Sequence, residues 1–287
     1  MKISELRREY HRRICSEVVR IRKDKEKGDY PNSADSGNKS SINIAWGLFN
    51  RLACTPNYER VSEQTAGGLF EKITKDFIEN AFTLLYHLRP GKWHYTTKQT
   101  AISHFVQYEH LSYLRAIIQK DKDLSSILGG DYIVKPDIVI TRAPVSDEEI
   151  NSKGEVVSRQ DNSAILNPLR EYNHKKIHPI LHASISCKWT IRSDRSQNTR
   201  TEALNLIRHR KGHLPHIVAV IGEPLPTRIA TLALGTGDLD CVYHFALDEL
   251  KEAIIEIDNQ DQLDMLLRMI EGKRLRDISD LPFDLAT

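Results

Sequence analysis

The chain predicts a mixed α/β fold. Three features carry that expectation: long helical spacings in the first third, a central set of short β-prone runs, and two further helical stretches behind them. Residues 3–23 form a basic amphipathic pattern, with Ile3, Leu6, Tyr10, Ile14, Val18 and Ile21 near helical spacing and a solvated basic face opposite. Residues 28–41, GDYPNSADSGNKSS, have no periodicity and read as a long polar loop, a linker or a functional loop. Residues 42–52 look helical. A stronger helix covers 68–88, where Leu69, Phe70, Ile73, Phe77, Ile78, Phe82, Leu85 and Leu88 make a broad apolar stripe, and Arg89-Pro90-Gly91 stops it. Another helix is expected over 105–120, then a break at Gly129-Gly130 before a strand-like run, Tyr132–Thr141. Residues 143–178 are polar and weakly patterned. Ile180–Trp189, Ile217–Ile221, Ile229–Leu234 and Cys241–Phe245 follow as strand candidates, then helices at 246–257 and 260–271 and a polar tail.

A chain of 287 residues can bury a full core. One domain is expected, a helical part over about 1–125 packed on a sheet core over about 126–287. The composition, 40% hydrophobic and 28% charged, is ordinary for a globular protein. A net charge of +2 means that any case for nucleic acid must rest on where the charges lie. Cys15, Cys54, Cys187 and Cys241 lie far apart, without zinc or redox spacing, and are expected as free thiols. No apolar run approaches the roughly 20 residues that span a bilayer, and no apolar signal core opens the chain, so a cytoplasmic protein is expected.

The charge is concentrated in one run. From Lys188 to Lys211 there are seven lysines and arginines against Asp194 and Glu202, a local +5. Side chains alternate along a strand, so within Ile180–Trp189 Ser184, Ser186 and Lys188 share one side. Ala183, Ile185, Cys187 and Trp189 take the other, which is apolar and should face the core. Thr199-Arg-Thr-Glu202 opens a helix whose inward residues would be Ala203, Leu204 and Ile207; alone it reads as a capping box. Pro136-Asp137 in VKPDIVITR puts a carboxylate at an irregular strand position, either a turn residue or a metal-binding acid paired with the Lys188 strand. Together, Asp137, Glu202 and Lys188 compose a hard-oxygen pocket beside a cation. That set suits magnesium and hydrolysis at phosphorus.

The pattern P-D…S-x-K…E resembles a variant of the PD-(D/E)xK nuclease fold, a central mixed sheet flanked by helices. Ser186 stands where the acid before the lysine is usual, and Glu202 stands in from the next helix. The run SISCKWTIRSDR, with GGLFEKI and GKRLRDISDLP, is similar to the NgoMIV-type restriction endonucleases. The resemblance extends over most of the chain and thins near 90–130 and 143–178. It implies a catalytic set of Asp137, Lys188, Glu202, Glu71 and Ser186. It implies two Mg2+ ions per active site, with Asp137, Glu202 and the Cys187 carbonyl as ligands. From the residues alone, Glu71 would be an exposed helix position four before Lys75.

The resemblance also implies a reader set. Arg192, Asp194 and Arg195 match readers of a central CCGG, in keeping with arginine on guanine and carboxylate on cytosine N4. Asp35 and Arg228 match readers of an outer G·C pair, and Gln64 matches a minor-groove contact. The implied target is GCCGGC in double-stranded DNA, cut after the first G to leave a 5′ CCGG overhang. Residues 35–37 read Asp-Ser-Gly, with serine and glycine exchanged relative to the family order, which leaves Ser36 without a role. The family further implies a homotetramer, a dimer of dimers that holds two sites, and a DNA methyltransferase in the same system that is not a stable partner. Two other readings stay open: a sequence-specific DNA-binding protein without catalysis, and a nuclease of the same fold without base readers.

Overall fold

The computed structural model describes the chain apart from residues 119, 121–133, 172–177 and 236; the side chains of residues 115 and 193–195 are also left aside. Helix α1 (Ile3–Arg13) runs into a π-turn, Ile14–Val18, so the predicted 3–23 helix ends early. Strands β1 (Ile21–Arg22) and β2 (Tyr30–Pro31) then pair antiparallel. Helix α2 (Lys39–Arg51) is capped by Asn38, whose side chain accepts from the Ser41 N–H. Helix α3 (Glu63–Leu84) is capped by Ser62 and begins five residues before the predicted start. Phe70, Ile73, Phe77, Ile78 and Phe82 form its buried stripe.

One six-stranded mixed sheet orders the rest. Its strands, in spatial order, are β3 (Trp93–Thr96), β4 (Ile138–Arg142), β5 (Ile180–Lys188), β6 (His216–Ile221), β7 (Cys241–His244) and β8 (Leu275–Asp277). The pairs β3–β4 and β4–β5 are antiparallel; the three pairs from β5 to β8 are parallel. The parallel strands are connected through helices, as parallel neighbours require. Helix α4 (His110–Ile118) precedes β4, and a one-turn helix α5 (Asp147–Ile150) lies in the weakly patterned stretch. Then come α6 (Ser193–His209), α7 (Pro226–Ala233), α8 (Leu247–Glu256), α9 (Gln260–Glu271) and α10 (Leu281–Ala286). The core is continuous, joining the buried faces of α1 to α3 with both faces of the central strands.

The structure differs from the sequence expectations in several places. Ile229–Leu234 belongs to helix α7, not to a strand. Pro226 stands at its first turn, and Pro226, Ile229, Leu232 and Ala233 are buried at helical spacing. The polar tail is structured: β8 adds the last strand, and α10 buries Leu281 and Leu285. The unanticipated β3 pairs its Trp93 with Arg142 of β4. The helix read as opening at Thr199 starts six residues earlier, at Ser193, so Thr199 is a buried interior residue and Glu202 is no cap. Inward positions of that helix are Ala203 and Leu206, while Leu204 and Ile207 are half-buried. Cys15 and Cys54 form a disulfide, their Cα atoms 5.0 Å apart, because the chain after α2 returns Cys54 against the π-turn. Cys187 and Cys241 are free and buried. The strand expected over Tyr132–Thr141 covers Ile138–Arg142, with residues 132 and 133 outside the described part, as is the Gly129-Gly130 break.

Candidate active site

Strand β5 enters the site with an apolar face and a polar face. Ile185 and Cys187 are buried, whereas Ser186 and Lys188 are half-exposed on the side toward α6. Antiparallel pairing sets Ile138 opposite Ile185, so Asp137, one residue before β4, falls beside Ser186. From there its Oδ2 accepts three hydrogen bonds: from the Cys187 N–H at 2.8 Å, from Lys188 Nζ at 2.7 Å and from Ser186 Oγ at 3.4 Å. Ser186 Oγ also lies 3.4 Å from Thr199 Oγ1, which ties β5 to α6 one turn before Glu202. The Pro136 irregularity therefore ends in a carboxylate held by backbone and side chain together.

Two more carboxylates turn toward this point. Glu71 on α3 and Glu202 on α6 line the same cavity as Lys188, about 760 Å³ in volume. Glu71 is not engaged with Lys75, as a helix-surface reading had it; Lys75 pairs with Asp76 and Glu79, both at 2.8 Å. Burial, then the negative charge of Asp137, raise the Glu71 pKa to about 7, with Lys188 opposing. Burial raises Glu202 as well; Lys188 opposes and Asp137 adds. Burial works against the charge on Lys188, but the charge and hydrogen bond of Asp137 outweigh it, so the ammonium form is strengthened. Acids that disfavour one another's ionisation around one cavity are the electrostatic condition that a bound cation relieves.

Among the described residues no three His, Cys, Asp or Glu side chains meet as a ready-made metal cage. Magnesium needs less, since it binds through one or two carboxylates and retains several waters. The donors at this site are the carboxylates of Asp137, Glu71 and Glu202 and the backbone carbonyl of Cys187. They are hard oxygens of the required kind, and they fit the ion.

The same cavity collects the candidate readers. Asp35, Gln64, Arg192 and Arg228 all line it. Asp35 comes from the loop after β2, Gln64 from the first turn of α3, Arg192 from the cap of α6 and Arg228 from the first turn of α7. Asp35 uses Oδ1 to accept the Gly37 N–H at 2.9 Å and Oδ2 to pair with Arg228. Arg192 is paired with Glu63. Asp194 and Arg195 lie in the first turn of α6; their side chains are outside the described residues. Two acids at the site escaped sequence reading. Glu63 lies five residues before the expected start of its helix and carried no signal. Glu223, fully buried between β6 and α7, was signalled only by a lone acid between an apolar strand and a proline-rich turn.

Trp189 closes the floor beyond Lys188, its ring packed on Phe70 and Phe245 with centroids 5.2 and 5.4 Å away. Gly222 makes room for it: a Cβ there would stand 2.4 Å from the ring and 2.9 Å from the Trp189 carbonyl. No described helix is long and apolar enough to cross a membrane.

Comparison with known proteins identifies the family. Residues 10–287 match the family model described as NgoMIV restriction enzyme. The chain is 47% identical over 258 residues to the type II restriction enzyme NgoMIV of Neisseria gonorrhoeae, covering 88% of this chain and 89% of that protein. With Lys188 held by Asp137, Glu71 and Glu202 on the same cavity wall, and a match over nearly its whole length, the chain belongs to the NgoMIV restriction enzyme family, and the protein is a type II restriction endonuclease.

Proposed function

We propose that the protein cleaves double-stranded DNA with magnesium at a palindromic site with a CCGG core. The target on this reading is GCCGGC, cut after the first G to leave a 5′ CCGG overhang. The observation that carries the proposal is the convergence of the Asp137–Lys188 pair, Glu71 and Glu202 on the cavity that also holds Arg192, Arg228 and Asp35. Chemistry and readout then share one wall.

In this mechanism Asp137, Glu202 and the Cys187 carbonyl would hold magnesium, two ions per active site, with Glu71 as an additional acid. Magnesium held there would supply Lewis-acid chemistry for hydrolysis at phosphorus. Lys188, kept protonated by Asp137, offsets charge developing on the phosphate. Ser186 helps orient Asp137 and joins β5 to α6 through Thr199. Arg192 and Arg195 suit guanine O6 and N7 in the major groove, and Asp194 suits cytosine N4. Asp35 and Arg228 are the acid–base pair assigned to the outer G·C, and Gln64 is assigned the minor-groove contact.

A palindrome suits a two-fold dimer, because identical subunits then meet identical half-sites. We assign the full assembly as a homotetramer, two dimers that hold two DNA sites, working in the cytoplasm beside a cognate methyltransferase that is not a stable partner. The test is digestion of a fully sequenced plasmid with magnesium, with the ends then sequenced. Cuts at GCCGGC with 5′ CCGG ends are expected; intact DNA bound at a defined sequence would instead establish a binding protein without catalysis. Plasmids with one and two sites, together with the mass in solution, test the assembly. Equal rates and a dimer mass would overturn the tetramer.

A further inference from the structure

We infer that Glu223 is a positioning residue for target discrimination: its buried carboxylate locks the segment that presents Arg192 to the helix that presents Arg228. The inference rests on the reader roles proposed above and adds a residue that no DNA group can touch, since Glu223 has no exposed surface.

The geometry is a clamp on two helix starts. Glu223 Oε2 accepts the Ile191 N–H at 2.9 Å, and Oε1 accepts the Leu225 N–H at 3.2 Å. Ile191 immediately precedes Arg192, the cap of α6, and Leu225 is the cap of α7. Arg228 closes the link from the other side, donating from Nη1 to the Ile191 carbonyl at 3.4 Å while Nη2 pairs with Asp35. The Ile191 peptide is thus held at its N–H by Glu223 and at its carbonyl by Arg228. The clamp is anchored to the sheet: the Glu223 carbonyl accepts from His244 Nε2 at 3.2 Å, and His244 Nδ1 accepts the Ala246 N–H at 3.1 Å. That second bond leaves the proton on Nε2.

Only a carboxylate serves here. Two N–H donors aim at two oxygens of one group, and a glutamine offers one oxygen and turns its NH2 against the second donor. Keeping an ionised acid wholly buried is costly, so burial pushes Glu223 up to about 7 against the two N–H groups and Arg228. An amide or an apolar side chain would fill the place at less cost if packing were the only requirement. The site where this acid persists joins the inner-pair reader to the outer-pair reader. A shift of the Ile191 peptide moves Arg192 and Arg228 together.

The test compares wild type, E223Q and R228A on short duplexes that carry the target found by plasmid digestion, the same site with its outer pair changed, and the same site with a central pair changed. Single-turnover cleavage rates are read beside thermal unfolding. E223Q is expected to lower the ratio of target to altered-site cleavage by about tenfold at both positions, the order of one good base contact. R228A should lower it at the outer pair. If R228A collapses the outer-pair ratio while E223Q leaves both ratios unchanged, or slows all duplexes by one factor, the positioning role is overturned and the reader assignment stands. If R228A leaves the ratio unchanged, the reader assignment fails and this inference falls with it. Should E223Q not fold, E223D, whose shorter stem cannot reach both N–H groups, is read on the same ratios with the same outcomes.

Discussion

Arg192 Nη2 donates to Glu63 Oε1 at 2.8 Å, so a candidate base reader at the cap of α6 is tied to the first turn of α3. Both side chains are well exposed, 59% and 40%, which limits such a pair to about 0–1 kcal/mol. To reach a guanine, Arg192 must leave this partner. Replacing Glu63 with Gln is therefore expected to tighten DNA binding up to about fivefold on target and non-target duplexes alike. Titration in calcium at low salt measures it. Weaker target binding would mean that Glu63 aims the arginine rather than restraining it.

In the proposed mechanism the Asp137–Lys188 contact underlies the chemistry. Lys188→Ala and Asp137→Asn are each expected to lower cleavage by about 10²-fold or more, the order seen on loss of a transition-state donor. Binding to the target in calcium should change only a few-fold. Cleavage retained by both variants would remove the site from β4 and β5.

On the proposed reading Arg195, in the basic run after β5, reads an inner pair. Arg195→Ala should weaken discrimination at one central base pair by about 1–3 kcal/mol. Competition between duplexes differing at that pair provides the number. A uniform loss on all duplexes would mark a phosphate contact instead.

Gly222 and Trp189 leave no slack. A methyl at position 222 would overlap the indole and the Trp189 backbone, so Gly222→Ala should cost about 1–3 kcal/mol of stability. Denaturant unfolding reads this directly. Because Gly222 donates its N–H to the Lys188 carbonyl at 2.9 Å, cleavage should also fall in the fraction that remains folded.

His182 gives the fold an acid-side weakness. Burial, with help from His216, Arg89 and Arg142, lowers its pKa from 6.5 to about 3, although the Leu285 carbonyl opposes the shift. The unfolded chain takes up this proton below 6.5 and the folded chain does so only near 3. The contribution is therefore complete above 6.5 and is lost as pH falls through that window, by about 1.4 kcal/mol per pH unit. His182→Gln, which keeps a donor for Leu285, should make the decline of unfolding free energy between pH 6 and 4 shallower by that slope. An unchanged slope would show that the imidazole is protonated in the fold.

Local patterns read correctly where a period decides the outcome. The two-residue alternation along Ile180–Trp189 already separated Ser186 and Lys188 from the buried Ile185 and Cys187, and the stripe on α3 named its core face. Long motifs carried the family resemblance, since SISCKWTIRSDR is too specific a run to arise from packing alone. Short apolar runs were ambiguous. Ile229–Leu234 has the hydrophobicity of a strand, and the proline at the first turn of α7 settled it as helix.

The sequence by itself determined the mixed α/β class, the polar face of the catalytic strand and the concentration of arginine after it, because these depend on spacings within one segment. Tertiary structure decided the rest. The register of Ile138 against Ile185 brings Asp137 to Lys188, the early start of α6 turns Glu202 from a cap into a cavity acid, and the packing of α3 aims Glu71 inward. It also joined Cys15 to Cys54 and buried Glu223 between the starts of α6 and α7. Each of these joins residues from separate segments, and such meetings are set by how strands pair and helices pack, which no local period encodes.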